Sequence, residues 1–480
     1  MSTDLPHKQY APPAQILDAA GRAHLDHAAV LRLAVPFMVN SAIQACLNAT
    51  DTWFIGRLSA NATSAMGAVY WPVLVFLVLF GGVGISVQTL VAQNYGARRY
   101  TRAAQAAWVS LWASLFTVPI FAWLAFAGRP MFTPFGVPEE SLSLALEYWM
   151  PRMLGAPLGV ALWGQLGFFN GIGRPRITLA LTVSVGVLNA LLNQVFIFNL
   201  GLGIAGSAWA TGVAQGVGLA LALWIFLTPP MRAQYRSHLT LRLKPGALLM
   251  QFKLGFPMGL LYAADILGFS LFQLMQVHLG TVDGAATQLV MMMTSFAYMP
   301  AYGIAMAGTT LVGQSIGSGH RDWAARVGNG IILMAILYMG ITGLVLAALG
   351  PWFLPWFQAS ADPRAIEVVA RAGLLLWVAA GYQLFDGLNL ASGACLRGAG
   401  DALVPAFMVI ALSWLVFVPL AHSLSFAPGQ GWTDWLPALG YGAVGGWSAA
   451  VAYIMLLGIM LWLRWRSGAW RRIDLQFSHP

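Results

Sequence analysis

Twelve times between residues 31 and 463 the chain runs for about twenty residues or more with hardly a charged side chain. The runs fall at about 31–55, 64–90, 105–127, 140–169, 176–199, 203–227, 248–279, 284–312, 325–349, 364–395, 402–422 and 440–463. About twenty apolar residues, coiled as a helix, cross the hydrocarbon of a bilayer. No water is present there to satisfy an open backbone, so only helices and closed barrels span. Barrel strands need only about ten alternating residues, and these runs are too long and continuous for that. The expected fold is all-α, a polytopic membrane protein with twelve transmembrane helices. Composition agrees. The chain is 59% hydrophobic and 9% charged, where an ordinary soluble domain carries about 25% charged residues.

The net charge of +9 reads as topology. With the N-terminus placed in the cytoplasm, all but five of the 25 Lys and Arg fall on the cytoplasmic side, Arg397 among them. Arg57, Arg129, Arg152, Arg364 and Arg371 fall outside. That bias follows the positive-inside rule and puts both termini in the cytoplasm of a multi-pass inner (plasma) membrane protein. It leaves no nucleic-acid footprint to explain, and attraction to anionic headgroups follows from it. The first thirty residues lack the basic-then-apolar order of a cleavable signal. Cys46 and Cys395 both fall in spans and read as buried thiols rather than a disulfide.

The chain repeats itself. Leu33-Ala34-Val35-Pro36 matches Leu254-Gly255-Phe256-Pro257 at an offset of 221 residues (33 to 254). Thr89-Leu90-Val91-Ala92-Gln93-Asn94-Tyr95-Gly96 matches Thr310-Leu311-Val312-Gly313-Gln314-Ser315-Ile316-Gly317 at the same offset. Gly171-Ile172-Gly173 resembles Gly398-Ala399-Gly400, and Gly203-Ile204-Ala205-Gly206 resembles Gly442-Ala443-Val444-Gly445. Two copies of a six-helix unit enter the membrane from the same side. They predict two pseudo-symmetric lobes around a central cavity, the layout of a transporter that alternates its access. The expected division is a cytoplasmic tail at 1–28, an N-lobe at 29–230, a linker at 231–246, a C-lobe at 247–465 and a tail at 466–480.

Asp51, Asp265 and Asp386 lie inside apolar runs. A carboxylate at mid-membrane costs roughly 2.5–3.5 kcal/mol even by the lower estimates, and such residues usually face a cavity and carry function. In the first span Asn40, Gln44, Asn48 and Asp51 fall within a sector of about 80°. Asn189 and Asn193 share a face of the fifth span, and Thr211 lies in the sixth. One carboxylate with amide and hydroxyl oxygens fits Na+, or a proton on Asp51; an Asn/Asn/Thr set serves inter-helix hydrogen bonding equally well. In the second half Asp265, Phe269, Phe272 and Gln276 share one face, and Tyr382, Asp386, Asn389 and Gly393 share another. An acid among aromatic rings suits an organic cation. Met291-Met292-Met293 adds a deformable surface, and Tyr262 and Gln288 complete the expected cavity lining. His278 and His422 have no metal-ligand neighbours at the usual spacing. Walker A and HExxH motifs are absent from the sequence. The chain is expected to be no enzyme, to need no cofactor, and to draw on an ion gradient.

These residues also carry a family resemblance. LRLAVPFMVN…LNATDTWFIGRLS, TLVAQNYGARR with TLVGQSIGSGH, GIAGSAWAT, GAATQLV and LRGAGDALVP together resemble the multidrug and toxic compound extrusion (MATE) family. The resemblance runs from about residue 31 to 465. It implies a secondary antiporter that exports cationic or polyaromatic drugs in exchange for H+ or Na+. Asp51 matches the family's first-helix acid, and Asn189 and Thr211 match two partners in its cation site. Asn193 stands where some members have an acid, so one charge is missing. Asp265 and Asp386 match the second-lobe acids of the NorM-type branch, where the first is usually Glu; the DinF-type branch has the first-lobe site only. The expected partners are small organic cations and the lipid bilayer, with the chain acting as a monomer. A lipid-linked oligosaccharide or lipid flippase of the same superfamily is the alternative, and it would line its cavity with Arg and Lys.

Overall fold

The computed structural model describes residues 12–19, 21–133, 139–357 and 364–475. Lys8 of the N-terminal tail lies outside them. Twelve long helices follow in chain order. The first half holds α1 His27–Gly56, α2 Ala60–Gly96, α3 Tyr100–Phe126, α4 Glu139–Gly171, α5 Pro175–Asn193 and α6 Gly203–Phe226. The second holds α7 Pro245–Leu279, α8 Thr281–Gly317, α9 Arg321–Phe353, α10 Ala365–Ala399, α11 Leu403–Leu412 and α12 Gly442–Arg466. A wider π-helical segment, Gln194–Asn199, continues α5, and α11 continues through another, Ser413–Phe417, into Val418–Ser425.

With these continuations, and among the described residues, eleven of the twelve are long and apolar enough to cross a membrane. The exception is α4, which carries Glu147 and Arg152 and packs against α2, α3 and α6. It lies among other helices, so its surface need not match lipid. Local signals set the starts. The side chain of Asp26 accepts the Ala29 N–H at 2.9 Å and Ser59 accepts that of Ala62 at 3.0 Å, closing the first turns of α1 and α2. Pro175 and Pro245 open α5 and α7, where the missing N–H costs nothing.

The tails are more structured than the sequence suggests. Gln15–Leu17 and Ala23–Leu25 form an antiparallel hairpin. Leu25 packs over Gly330 of α9, while Trp323 Nε1 donates to the Pro13 carbonyl at 2.9 Å. At the other terminus Leu475 packs on Gly400, and Asp401 pairs with Arg464 at 2.7 Å. The linker is not bare coil either: Pro229–Tyr235 is a short helix, and Trp108 Nε1 donates to the Ser237 carbonyl at 2.7 Å.

The lobes meet through α1 against α8 and α2 against α7 and α8. These contacts gather at the end where both termini lie. Gly82 of α2 lies against the main chain of Gly255 and Gly259 in α7, and Gly303 of α8 against that of Met38 in α1. Beyond them the duplicated motif forms a seam with two-fold logic. Thr89 Oγ1 donates to the Arg397 carbonyl at 2.9 Å, and Gln93 Nε2 to the Gly398 carbonyl at 3.0 Å. In the other copy Thr310 Oγ1 donates to the Asn170 carbonyl at 3.1 Å, and Gln314 Nε2 to the Gly171 carbonyl at 2.9 Å. Equivalent side chains of α2 and α8 thus reach equivalent carbonyls of α10 and α4. The glycine that ends each motif lets the backbones touch: a Cβ on Gly96 would sit 2.0 Å from the Gln314 carbonyl oxygen, and one on Gly317 1.9 Å from that of Gln93.

Candidate functional site

Each half carries its own acid-lined chamber. In the first half Asp51, near the end of α1, is held from one side by α5 and α6. Asn193 Nδ2 donates to Asp51 Oδ1 at 2.6 Å and Thr211 Oγ1 faces Oδ2 at 3.3 Å. Asn189 Nδ2 donates to Thr211 Oγ1 at 3.2 Å, and Asn193 Nδ2 also approaches Asn189 Oδ1 at 3.3 Å. The structure therefore brings together all four residues expected from the sequence. It leaves Asn193 Oδ1 buried with no donor.

From the other side Asp51 faces a chamber of about 70 Å³ lined by Tyr70, Tyr148 and Arg152. Arg152 was expected only as a charge on the outer side; it belongs to α4 and faces the acid across this space, with one terminal nitrogen buried and unpartnered. The polarity that drops α4 from the set of self-sufficient spans was the available signal. Elsewhere the polar stripe of α1 is less uniform. Asn40 is half-buried with Oδ1 lacking a partner, Gln44 is exposed, and the side chain of Asn48 lies outside the described residues.

In the second half Asp265 of α7 and Asp386 of α10 line one chamber of about 250 Å³. Tyr453 Oη of α12 donates to Asp265 Oδ1 at 2.7 Å, and Asn389 Nδ2 approaches Asp386 Oδ1 at 3.4 Å. Aromatic faces make up much of the wall: Tyr382 stacks on Trp447 with centroids 6.3 Å apart, and Phe417 stacks on Tyr453 at 4.9 Å from behind. Phe269 and Phe272 line the chamber as expected. Met291 does too, whereas Met293 is buried in the helix packing. Tyr262 lines a smaller chamber that shares Asp265 with the first. Gln276 donates instead to Ser425 Oγ at 3.3 Å, and Gln288 is exposed and accepts from Gln273, so neither lines these two chambers. Among the described residues no cluster of His, Cys, Asp and Glu has metal-site geometry. His422 accepts the Trp432 N–H at 3.0 Å, which ties the long loop before α12 back onto α11. Tyr298, Trp447 and Tyr453 were not anticipated, because their spacing along the chain matches that of ordinary packing residues, and Arg397 was read only as a charge on the cytoplasmic side.

Two six-helix halves, joined at one end and each enclosing a membrane acid, define a multi-pass transport protein. The MatE family profile matches residues 36–195 and, a second time, 257–422, and the chain belongs to this family of multidrug efflux transporters. The double match begins at the offset of the sequence repeat. The probable multidrug resistance protein NorM of Pseudomonas aeruginosa is 31% identical over 455 residues, 92% of this chain and 89% of that protein. NorM of Agrobacterium fabrum is 27% identical over 451 residues, 91% and 92% of the two chains. An outward-facing multidrug resistance MATE family transporter of the MOP superfamily superposes with a TM-score of 0.78 at 21% identity, covering 92% of this chain and 96% of that one. MATE in the straight conformation superposes at 0.76 with 19% identity and the same coverage. Both share the fold.

Proposed function

We propose that the protein is a secondary antiporter of the inner membrane, with both termini cytoplasmic, acting as a monomer. It exports cationic and aromatic organic compounds, driven by cations moving inward. The observation that carries this reading is the shared chamber of Asp265 and Asp386, whose walls are rich in aromatic rings. Fixed negative charge and ring faces both attract an organic cation. The two acids also oppose the flippase alternative, which calls for a basic cavity. Closure at the terminal end supports a state that faces outward. Separate Na+ and pH gradients imposed on proteoliposomes test the reading, and absence of substrate efflux under both refutes it.

Two features favour H+ over Na+ at Asp51. Arg152 faces this chamber with N–H donors alone and offers Na+ no oxygen ligand. With its amide turned over, Asn193 presents its buried, donor-less Oδ1 to Asp51, and a protonated Asp51 supplies the O–H donor. Arg152→Gln is therefore expected to confer Na+-stimulated efflux on a carrier that otherwise runs on pH alone. If the variant stays indifferent to Na+, Arg152 does not select the ion.

Neutralising Asp265 or Asp386 separates substrate from ion. Asp265→Asn and Asp386→Asn are each expected to weaken binding of a cationic dye about tenfold, the scale of one charge-assisted contact, and to leave a neutral aromatic within about twofold. Equilibrium binding to the purified variants reads this directly. Equal losses for both compounds would assign the acids to the ion or to folding.

A further inference from the structure

The smaller chamber in the second half, about 60 Å³, is walled by Tyr262, Asp265, Tyr298, Asn389 and Arg397. It shares Asp265, Tyr298 and Asn389 with the larger chamber, so the two spaces adjoin. Sequence placed Arg397 on the cytoplasmic side; in the structure it is 8% exposed. Burying a guanidinium is costly unless something pairs with it. Its surroundings supply little. The guanidinium lies over the Tyr262 ring at 5.7 Å, and Nη2 is buried with no partner. The nearby Asp401 is already paired with Arg464 at 2.7 Å. Asp265 accepts from Tyr453, and among the described residues no ion pair joins Arg397 to Asp265 or Asp386. Nor does the seam employ the charge, since Thr89 bonds the carbonyl of Arg397.

We propose that Arg397 forms an anion subsite that receives the carboxylate of a bound organic solute, while Asp265 and Asp386 hold its cationic end. The planar fork of a guanidinium matches a carboxylate better than a spherical ion. The aromatic rings of Tyr262 and Tyr298 line the space between the poles. The substrate class is thereby narrowed to flat molecules with an amine at one end and a carboxylate at the other. This deepens the reading of the adjoining chamber as the substrate chamber and rests on it.

Three probes separate the parts on purified full-length protein: benzylamine, benzoate and para-aminomethylbenzoate. In the wild type para-aminomethylbenzoate is expected to bind about tenfold or more tighter than benzylamine. Arg397→Gln removes that advantage and leaves benzylamine unchanged, and Arg397→Lys restores part of it. Should Arg397→Gln fail to fold, the wild type still decides: benzoate raises its melting temperature and competes with para-aminomethylbenzoate, whereas methyl benzoate does neither. Equal affinity of the wild type for benzylamine and para-aminomethylbenzoate overturns the anion subsite and spares the cation reading. Failure of benzylamine to bind at all overturns both.

Discussion

Asp51→Asn is expected to abolish ion-driven efflux, with expression and melting temperature close to wild type. Three neighbours support the carboxylate at hydrogen-bonding distance or by a shared network: Asn193, Thr211 and, through Thr211, Asn189. An asparagine fills the same volume and keeps an acceptor for Asn193, so packing is preserved. What it removes is the negative charge and the ability to carry a proton. A group that binds the driving cation in one conformation and releases it in the other cannot be replaced by a neutral amide. Coupling works only through such differential binding. Efflux in proteoliposomes under an imposed pH gradient should therefore fall at least about a hundredfold, the order of 3 kcal/mol. Binding of cationic substrate at the second-half chamber should survive, because Asp265 and Asp386 belong to different helices. Gradient-driven efflux by a folded Asp51→Asn protein would remove this residue from the coupling step.

The second large effect is conformational. Gly317→Ala puts a Cβ 1.9 Å from the Gln93 carbonyl oxygen, and Gly96→Ala puts one 2.0 Å from that of Gln314. A contact that short forces the backbones of α2 and α8 apart. Neighbouring hydrogen bonds of Gln93 and Gln314, each worth about 1 kcal/mol net, are lost with it. Losing two such bonds shifts a two-state equilibrium about thirtyfold, and the clash adds more. Either substitution should move the resting protein from the conformation closed at the terminal end to the one closed at the far end, and stop turnover there. Spin-label distances between the far ends of α1 and α7 should shorten, and a cysteine near residue 93 should become reactive to a soluble reagent. Unchanged distances in Gly317→Ala would show that the seam is not what holds this state.

The parts of the molecule legible from sequence follow from solvent and period. The spans could be counted because lipid demands about twenty apolar residues of a helix that faces it. The repeat was visible as identities at a fixed offset, and the first-half acid set as one face of α1 with one face of α5. Those residues meet in the structure. Tertiary structure decided the rest. Arg152 looked like a charge of the outer side and not a chamber residue, because a helix enclosed by other helices need not be apolar all round, and sequence does not say which helix is enclosed. Gln276 and Gln288 carried the right spacing yet found other partners, Ser425 and Gln273. The Thr and Gln of the duplicated motif were plain in the chain, but their partners are backbone carbonyls of α10 and α4. A carbonyl has the same chemistry at every residue. Which ones a side chain meets is fixed only when the two halves dock.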